Sequence, residues 1–388
     1  GYSVTADHNT LYGSGAGYTI STGTQNVIAG SNAGYYSNGS YNVAVGQNAL
    51  VGPSTGQSAT HNTAVGFYAL AGNTTGGSNT AIGSNALIYL TTGAGHTAVG
   101  YAAGQDVTTG VQGTYVGGNA GANVTTGNNN VFVGYNAGDA CTTGTPNVAV
   151  GVGAYGSGGA GGGTENVAIG HQAMASADSG GLYNTCVGNQ AGYYITTGDY
   201  NVAIGRAADQ VTTTGSFNIM IGPSAKPSAN SGTSQTVIGY NVEGNGNSSF
   251  TFGSGSTDTS CDFGSTTWAL PSDERIKEEI EDDVIGLSFI NDLRPRTFRY
   301  RKEKDIPNSL NAHVADSEKR YKTDKYEHGF IAQEVKEAID KHNFKDGFDM
   351  WSENENDGRQ LIGPTAVIPM LIKAIQELSA EVEKLKGE

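Results

Sequence analysis

The fold is decided by a repeated word, which is clearest in the stretch NTAIGSNALIYLTTGAGHTAVGYAA, residues 79–103. The word has the form N-x-x-x-G-x-x-A, and its glycine recurs fourteen times in the first part of the chain. Nine of the thirteen intervals between these glycines are 17 residues long, and the other four are 16, 18, 19 and 20. Such a period is the signature of a repeat architecture. The fourteen residues are Gly13, Gly30, Gly46, Gly66, Gly83, Gly100, Gly117, Gly134, Gly151, Gly170, Gly188, Gly205, Gly222 and Gly239.

Each copy of the word predicts one short strand and a turn. Val or Ile precedes the glycine in twelve copies, and Val or Thr usually stands two positions earlier, so these alternate side chains share one face. Asn lies four residues before the glycine in eleven copies. In six copies a Thr-Thr-Gly turn, such as Thr91–Gly93, ends ten residues after it. We expect the turn glycine to supply a positive φ.

A unit of this length cannot enclose its own core. It must therefore bury its Val/Ile row against the same row in the units above and below. We predict an all-β repeat solenoid with 17-residue rungs over residues 1–242, followed by a β-rich connector over 243–271. At about 4.8 Å per rung, fourteen rungs form a rod of roughly 65 Å. The recurring Asn predicts a ladder of amide hydrogen bonds along the rod.

The composition changes abruptly at residue 272. Of the 59 Gly, 53 lie before it. The first 271 residues contain 2 basic and 10 acidic side chains, and the last 117 contain 19 and 26. Both parts are thus net acidic, which argues against the basic surface that nucleic-acid binding requires.

Further classes of protein are excluded by sequence features that are missing. No stretch approaches the roughly 18 apolar residues of a membrane span, and the opening GYSVTADHNT has no signal-peptide pattern. The lack of an initiator Met predicts a fragment of a longer protein. Cys141, Cys186 and Cys261 are widely spaced and form neither a zinc pattern nor a disulfide framework. We predict no metal site and no cofactor.

The last 117 residues predict a mixed, mainly α domain. Ser272 and Asp273 have the pattern of a helix N-cap and an acidic first turn, and the charged run 278–283 then predicts a solvated helix face. A basic strand over 294–301 and a charged loop over 302–325 follow. The segment HGFIAQEV, residues 328–335, enters a second helix.

The chain ends in a heptad pattern, which predicts a coiled coil over 368–386. Ile and Val at the a positions with Leu at the d positions generically favour a two-stranded coil. The seam is short, however, so it leaves the choice between a dimer and a trimer open. Its residues are Ile368, Leu371, Ile375, Leu378, Val382 and Leu385.

The repeat words NTAVGFYAL, NTAIGSNAL and NVAIGRAA resemble the head repeats of trimeric autotransporter adhesins and of phage tail-fibre proteins. This resemblance implies a homotrimer of parallel β-rolls that binds a glycan or protein receptor on a host cell. It places the chain in a virion tail. The alternative is a bacterial surface adhesin or extracellular fibre that keeps its C-terminal domain as a cap.

The words SDERIK, FRYRKE and HGFIAQEV, in this order before a terminal coiled coil, resemble the self-cleaving intramolecular chaperone domain of endosialidase-type tail spikes. The resemblance covers residues 272–388. It implies a domain that trimerises, templates folding of the preceding β-structure and then cuts itself off. Carried over, Ser272 is the nucleophile, Lys277 the base and Pro271–Ser272 the bond that is cleaved.

The chemistry of such a Ser/Lys dyad sets conditions. A serine hydroxyl needs a base, and a lysine amine with a reference pKa of about 10.4 becomes one only when burial or a nearby cation lowers its pKa. Arg275 is the candidate cation. Asp273 is expected to cap the helix, and His328 and Gln333 are candidate site-lining residues. The resemblance thus implies serine-type autoproteolysis, acting once on its own chain. Glycan hydrolysis is disfavoured because the ten scattered carboxylates of residues 1–271 form no recurring pair.

Overall fold

A computed structural model describes residues 6–54, 56–139, 141–156, 162–176, 180–255, 257–265, 268, 274–344, 350–354 and 357–387. The chain forms two compact units, Gly1–Pro271 and Ser272–Glu388. No helix among these described residues has both the length and the apolar character needed to cross a membrane.

The first unit is a β-solenoid, as predicted. Its strands follow one another in chain order in a single sheet, and neighbours are parallel and in register from β1 to β15; Ala81, for example, is paired with Ala98. Only β16 turns back, antiparallel to β15. Thirteen three-residue strands come first: Thr10–Tyr12, Val27–Ala29, Val43–Val45, Thr63–Val65, Thr80–Ile82, Thr97–Val99, Thr114–Val116, Val131–Val133, Val148–Val150, Val167–Ile169, Thr185–Val187, Val202–Ile204 and Ile219–Ile221 (β1–β13). They are followed by Gln235–Tyr240 (β14), Ser249–Ser254 (β15) and Thr257–Asp262 (β16).

The prediction that the Val/Ile row is buried is wrong. From β2 to β13 the middle residue of each strand is buried, and both flanking residues are partly or fully exposed. Ala81 is fully buried, for instance, whereas Ile82 is 39% exposed. The reason is that a three-residue strand places only its central side chain inward, and each rung encloses a narrow interior that Ala fills. Deeper in the rung, Leu87 and Leu90 complete this core.

The repeat glycine is required for two independent reasons. It adopts a φ between +121° and +139° in all fourteen copies, a conformation that L-residues rarely adopt. In addition, a Cβ at Gly66 would lie 2.5 Å from the carbonyl oxygen of Gly83 on the next rung. The repeat glycines therefore form a glycine column, in which the backbones of successive rungs are too close to leave room for a side chain.

The glycine of the Thr-Thr-Gly turn has a different role from the one predicted. Gly110 and Gly127 do not have positive φ. A Cβ at either residue would instead lie 2.6 Å from the carbonyl oxygen of the matching glycine on the next rung. The turn thus needs glycine because backbones approach closely there. The first threonine of the turn also links neighbouring rungs. The Thr91 hydroxyl, for example, donates to the carbonyl oxygen of Thr108.

The predicted Asn ladder is present in the core. The Oδ1 of Asn184 accepts a hydrogen bond from the backbone N–H of Asn201, and its Nδ2 donates to the carbonyl oxygen of Gly198. The same pattern recurs at Asn62 and Asn79. Each amide therefore satisfies a donor and an acceptor of the backbone that the solenoid interior would otherwise leave unpaired.

Two consecutive rungs replace the ladder Asn with other residues. His96 reproduces its bonds, because its Nε2 donates to the carbonyl of Gly110 and its Nδ1 accepts from the N–H of Gly113. This pattern requires the neutral ring, and burial lowers the pKa of His96 accordingly. At Gly113 itself a Cβ would overlap the hydroxyl of Tyr115, whose ring fills the space of the missing Asn side chain.

Among the described residues, one acidic side chain is fully buried inside the solenoid. Asp209 is fully buried, and its Oδ1 accepts hydrogen bonds from the backbone N–H and the hydroxyl of Thr212. Its Oδ2 has no partner among the described residues. Burial raises the pKa of Asp209 to about 6.

The second unit packs three helices against short hairpins. Its core contains Phe289, Val335, Met350 and Met370. At the start of the first helix the backbone N–H of Leu287 donates to the carboxylate of Glu377 on the last helix, 2.8 Å away. The elements are Leu287–Asp292 (α1), Arg296–Phe298 (β17), Glu327–Gly329 (β18), Ala332–Lys341 (α2), Trp351–Glu353 (β19), Gln360–Ile362 (β20) and Ile368–Lys386 (α3). The strands pair antiparallel as β17 with β18 and β19 with β20.

The predicted helix after residue 272 is reduced to a single 3-10 turn, Glu274–Ile276. The charged run 278–283 is exposed and not helical, so the prediction of a solvated helix face is wrong. Five of its six residues are acidic, and like charges three and four positions apart destabilise a helix that has no apolar face to bury. Residues 302–325 contain one 3-10 turn, Glu303–Asp305, and are held by ion pairs from Lys302 and Lys304 to Glu318.

The close backbone contact at the repeat glycines predicts that an alanine there destabilises the protein, and two neighbouring glycines test this. We expect Gly117→Ala to destabilise the full-length chain by about 3 kcal/mol or more, since it combines a φ of +133° with overlap of the Gly134 carbonyl. Gly118→Ala is the matched control, because its Cβ would meet only the Tyr135 ring, at 3.4 Å. Urea unfolding followed by circular dichroism measures both, and equal losses would contradict this account of the column.

The buried carboxyl predicts a pH dependence. The pKa of Asp209 is raised above the unfolded value of about 3.9, so its stabilising contribution is complete below about pH 4 and is lost as the pH rises through about 6. We expect the unfolding free energy of Asp209→Asn to gain about 2 kcal/mol relative to wild type between pH 4 and pH 7.5. Thermal melts at both pH values measure the difference. Asp106→Asn, at a half-exposed side chain, is the control, and a pH-independent effect of Asp209→Asn would refute the prediction.

Candidate functional site

The predicted cleavage site is only partly within the described residues. Pro271, Ser272 and Asp273 lie outside them, so the assignments of the nucleophile, the scissile bond and the cap remain predictions. Arg275 belongs to the 3-10 turn Glu274–Ile276. The backbone N–H of Lys277 donates to the carbonyl of Glu274, 3.1 Å away. The side chains of Arg275 and Lys277 are both exposed in the single chain.

His328 and Gln333 occupy different places. His328 lies in β18 opposite Thr297, and its Nδ1 is 3.1 Å from the Thr297 hydroxyl. Its side chain is exposed. Gln333 lies in the first turn of α2 and lines a cavity, whereas His328 does not. The two residues thus lie on different elements, β18 and α2, and their role as lining of the cleavage site remains a prediction.

The cavity beside Gln333 has a volume of about 630 Å³. It is lined by four segments that are distant in the sequence: 298–301, 321–322, 330–333 and 359–362. Four of the lining residues are basic, Arg299, Arg301, Lys322 and Arg359, and none is acidic. We refer to it as the basic cavity. Sequence reasoning identified the basic strand and the start of α2, but Lys322 and Arg359 carry no pattern that would place them beside these elements.

Two surfaces of the described chain are apolar and have no partner within it. The first is the outer row, the Val and Ile residues that precede the repeat glycines; Ile204, for example, is 40% exposed. The second is the heptad seam of α3, whose six a and d residues are all exposed. The adjacent face of α3 carries Met370 and Ala374, which are buried. The seam is therefore not used to hold α3 in its own unit.

The described residues contain no group of three or more His, Cys, Asp or Glu side chains arranged to hold a metal ion. Cys141 and Cys186 are buried in the solenoid, and burial raises the pKa of the Cys141 thiol to about 11. A thiol in this state is a poor nucleophile.

Comparison with known proteins adds a family for one part of the chain. Residues 272–344, about a fifth of the sequence, match the family described as chaperone of endosialidase. No curated protein and no solved structure matches the chain. The match begins at the residue where the composition changes and where the second compact unit starts. The resemblance inferred from SDERIK and HGFIAQEV is thereby confirmed, and the chain joins a β-solenoid to a region similar to the chaperone of endosialidase.

Proposed function

We propose that the protein is a trimeric tail-fibre protein that attaches to a host cell through its solenoid, and whose C-terminal unit drives trimerisation and folding before cleaving itself off. Residues 1–242 form the shaft, 243–271 the connector and 272–388 the chaperone. The observation that carries this proposal is the match to the chaperone of endosialidase, which begins at residue 272, on the C-terminal side of a β-solenoid. On this proposal the protein is extracellular, in a virion tail, and its receptor is a glycan or protein of the host surface.

Trimerisation is supported by the two unpartnered apolar surfaces. Large exposed apolar patches mark interaction sites on most proteins. The outer row runs from rung to rung, with one Val or Ile side chain on each. The seam extends over the length of α3. Three copies that pack these rows against one another would remove both surfaces from water. A coiled coil of α3 helices over 368–386 would fix the number of copies before the slower, non-local pairing of the rungs.

Cleavage requires a basic amine and a serine in contact. In the proposed step the Ser272 hydroxyl attacks the carbonyl carbon of Pro271, and Lys277 takes the hydroxyl proton and passes it to the leaving Ser272 nitrogen. Water then hydrolyses the ester, which yields a Pro271 carboxylate and a new amino terminus. Lys277 is exposed in the single chain, so the burial that activates a lysine would have to come from association. Cleavage would thus report that assembly is complete.

The cleavage proposal is tested by a fragment assay. Refolded wild type is expected to yield the C-terminal piece of 117 residues, identified by intact mass, because scission falls after residue 271 of 388. Ser272→Ala and Lys277→Arg should both leave the chain whole, since one lacks the hydroxyl and the other cannot lose its proton. Ser288→Ala, at an exposed serine, is the matched control and should be cleaved normally. A fragment that still forms in Ser272→Ala would sink the assignment.

The assembly proposal is tested on uncleaved protein carrying Ser272→Ala. Native mass measurement should give three times the chain mass of 39.9 kDa. Adding Ile375→Asp and Leu378→Asp, which place charges in the exposed seam, should shift most of the protein to single chains. Gln376→Asp, on the same helix but outside the seam, should leave the assembly intact. A stable dimer, or no response to the seam charges, would contradict the proposal.

A further inference from the structure

The basic cavity has an unbalanced charge. Residues 272–388 carry more acidic than basic side chains, yet the cavity lining contains four cations and no carboxylate. Arg299, Arg301, Lys322 and Arg359 form no ion pair with any carboxylate among the described residues. Neighbouring cations in the same unit do, as Lys302 and Lys304 show with Glu318. The lining thus gathers positive charge that forms no ion pair with the described carboxylates of its own unit.

The most enclosed of these cations has an unused donor. The Nη1 of Arg359 donates to the hydroxyl of Tyr321, 3.0 Å away. The Nε of the same guanidinium is buried and has no hydrogen-bond partner among the described residues. An unpaired donor on a charged group costs more than a neutral one would, because the group has lost water without gaining an acceptor. Among the described residues, Arg359 therefore keeps one buried donor without an acceptor.

The start of α2 supplies further donors at the same cavity. Ile331, Ala332 and Gln333 line it, and the helix has no side-chain cap. The N–H groups of Ala332 and Gln333 make no hydrogen bond with the described residues, and the first bond of this turn is from the Val335 N–H to the Ile331 carbonyl. Uncapped N–H groups and the positive end of the helix dipole favour an anion.

Apart from Gln333 and Gln360, the rest of the lining is aromatic and apolar. Lys322 lies 5.5 Å from the ring centre of Tyr300 and 5.8 Å from that of Tyr321. Phe298, Phe330 and Leu361 complete the wall. The volume of about 630 Å³ lies in the range of ligand pockets and far exceeds that of a bare ion. A fitting ligand therefore carries a negative group on an apolar body.

We propose that the basic cavity binds an oxyanion, a carboxylate or phosphate, that is carried on an apolar group. Arg359, Lys322 and the N-terminal end of α2 bind the oxygens, and the aromatic wall contacts the apolar part. One source is a small anionic molecule. The other is the exposed acidic run 278–284 of a second copy, in which Ile280 and Val284 are 65% and 85% exposed. The proposal concerns binding alone and does not depend on cleavage.

The experiment uses the full-length chain with Ser272→Ala, so that it stays whole. Ligand-observed NMR measures the affinity for phenyl phosphate and benzoate, with benzyl alcohol as the uncharged probe of similar shape. Both anions should bind saturably, and benzyl alcohol should bind at least about tenfold more weakly. Arg359→Gln should weaken anion binding by about tenfold or more. Arg294→Gln, which removes an exposed cation that does not line the cavity, should leave it unchanged.

A second variant and a competition experiment complete the test. Lys322→Gln should also weaken binding and serves if Arg359→Gln does not fold, as judged by its melting temperature. A peptide of residues 278–284 that binds and is displaced by phenyl phosphate identifies the neighbouring copy as the source. Binding of the small anions without the peptide identifies a small molecule. Saturable binding of neither anion, or unchanged affinity in both variants, overturns the proposal.

Discussion

Successive rungs of the solenoid approach so closely at the repeat glycine that backbone meets backbone, and most of the unit follows from this contact. A Cβ at Gly66 would lie 2.5 Å from the Gly83 oxygen, so the column admits no side chain. The parallel strands remain in register because every rung is seated in the same way on the next. With the spacing set by the backbone, each interior position must repeat as well. The Asn ladder and the Ala core are the two results, one for the polar groups and one for the volume.

The narrow interior also explains why the solenoid is apolar outside. Only the middle residue of each strand points inward, and the β-branched residues on both sides remain at the surface. The same division appears in α3, where Met370 and Ala374 hold the helix in its unit and the heptad seam is exposed. Both units thus carry an apolar row that the single chain does not cover. Packing of these rows against other copies is part of the proposed function, and this is why we place trimerisation at its centre.

Departures from the repeat show how local compensation preserves the stack. Gly113 replaces the ladder Asn where the large ring of Tyr115 replaces the usual Ala, so one change makes room for the other. His96 keeps both hydrogen bonds of the Asn that it replaces. Asp209 costs folding free energy, because one of its buried oxygens has no hydrogen-bond partner in the described core. The stack tolerates these substitutions because each rung is supported by bonds to both neighbours.

The sequence by itself determined the solenoid, its period, the Asn ladder and the break at residue 272, because each is a local pattern repeated or interrupted along the chain. Its heptads likewise predicted α3, and its SDERIK and HGFIAQEV words predicted the relationship to the chaperone family. Only the tertiary structure decided which face of a strand is inside, since Ala81 and Ile82 are both apolar and the choice depends on the width of the interior. It alone showed that Gly110 serves a close backbone contact rather than a positive φ. Tertiary structure alone also assembled the basic cavity, because Arg299, Lys322, Gln333 and Arg359 lie far apart in the chain and meet only when the hairpins and α2 pack together.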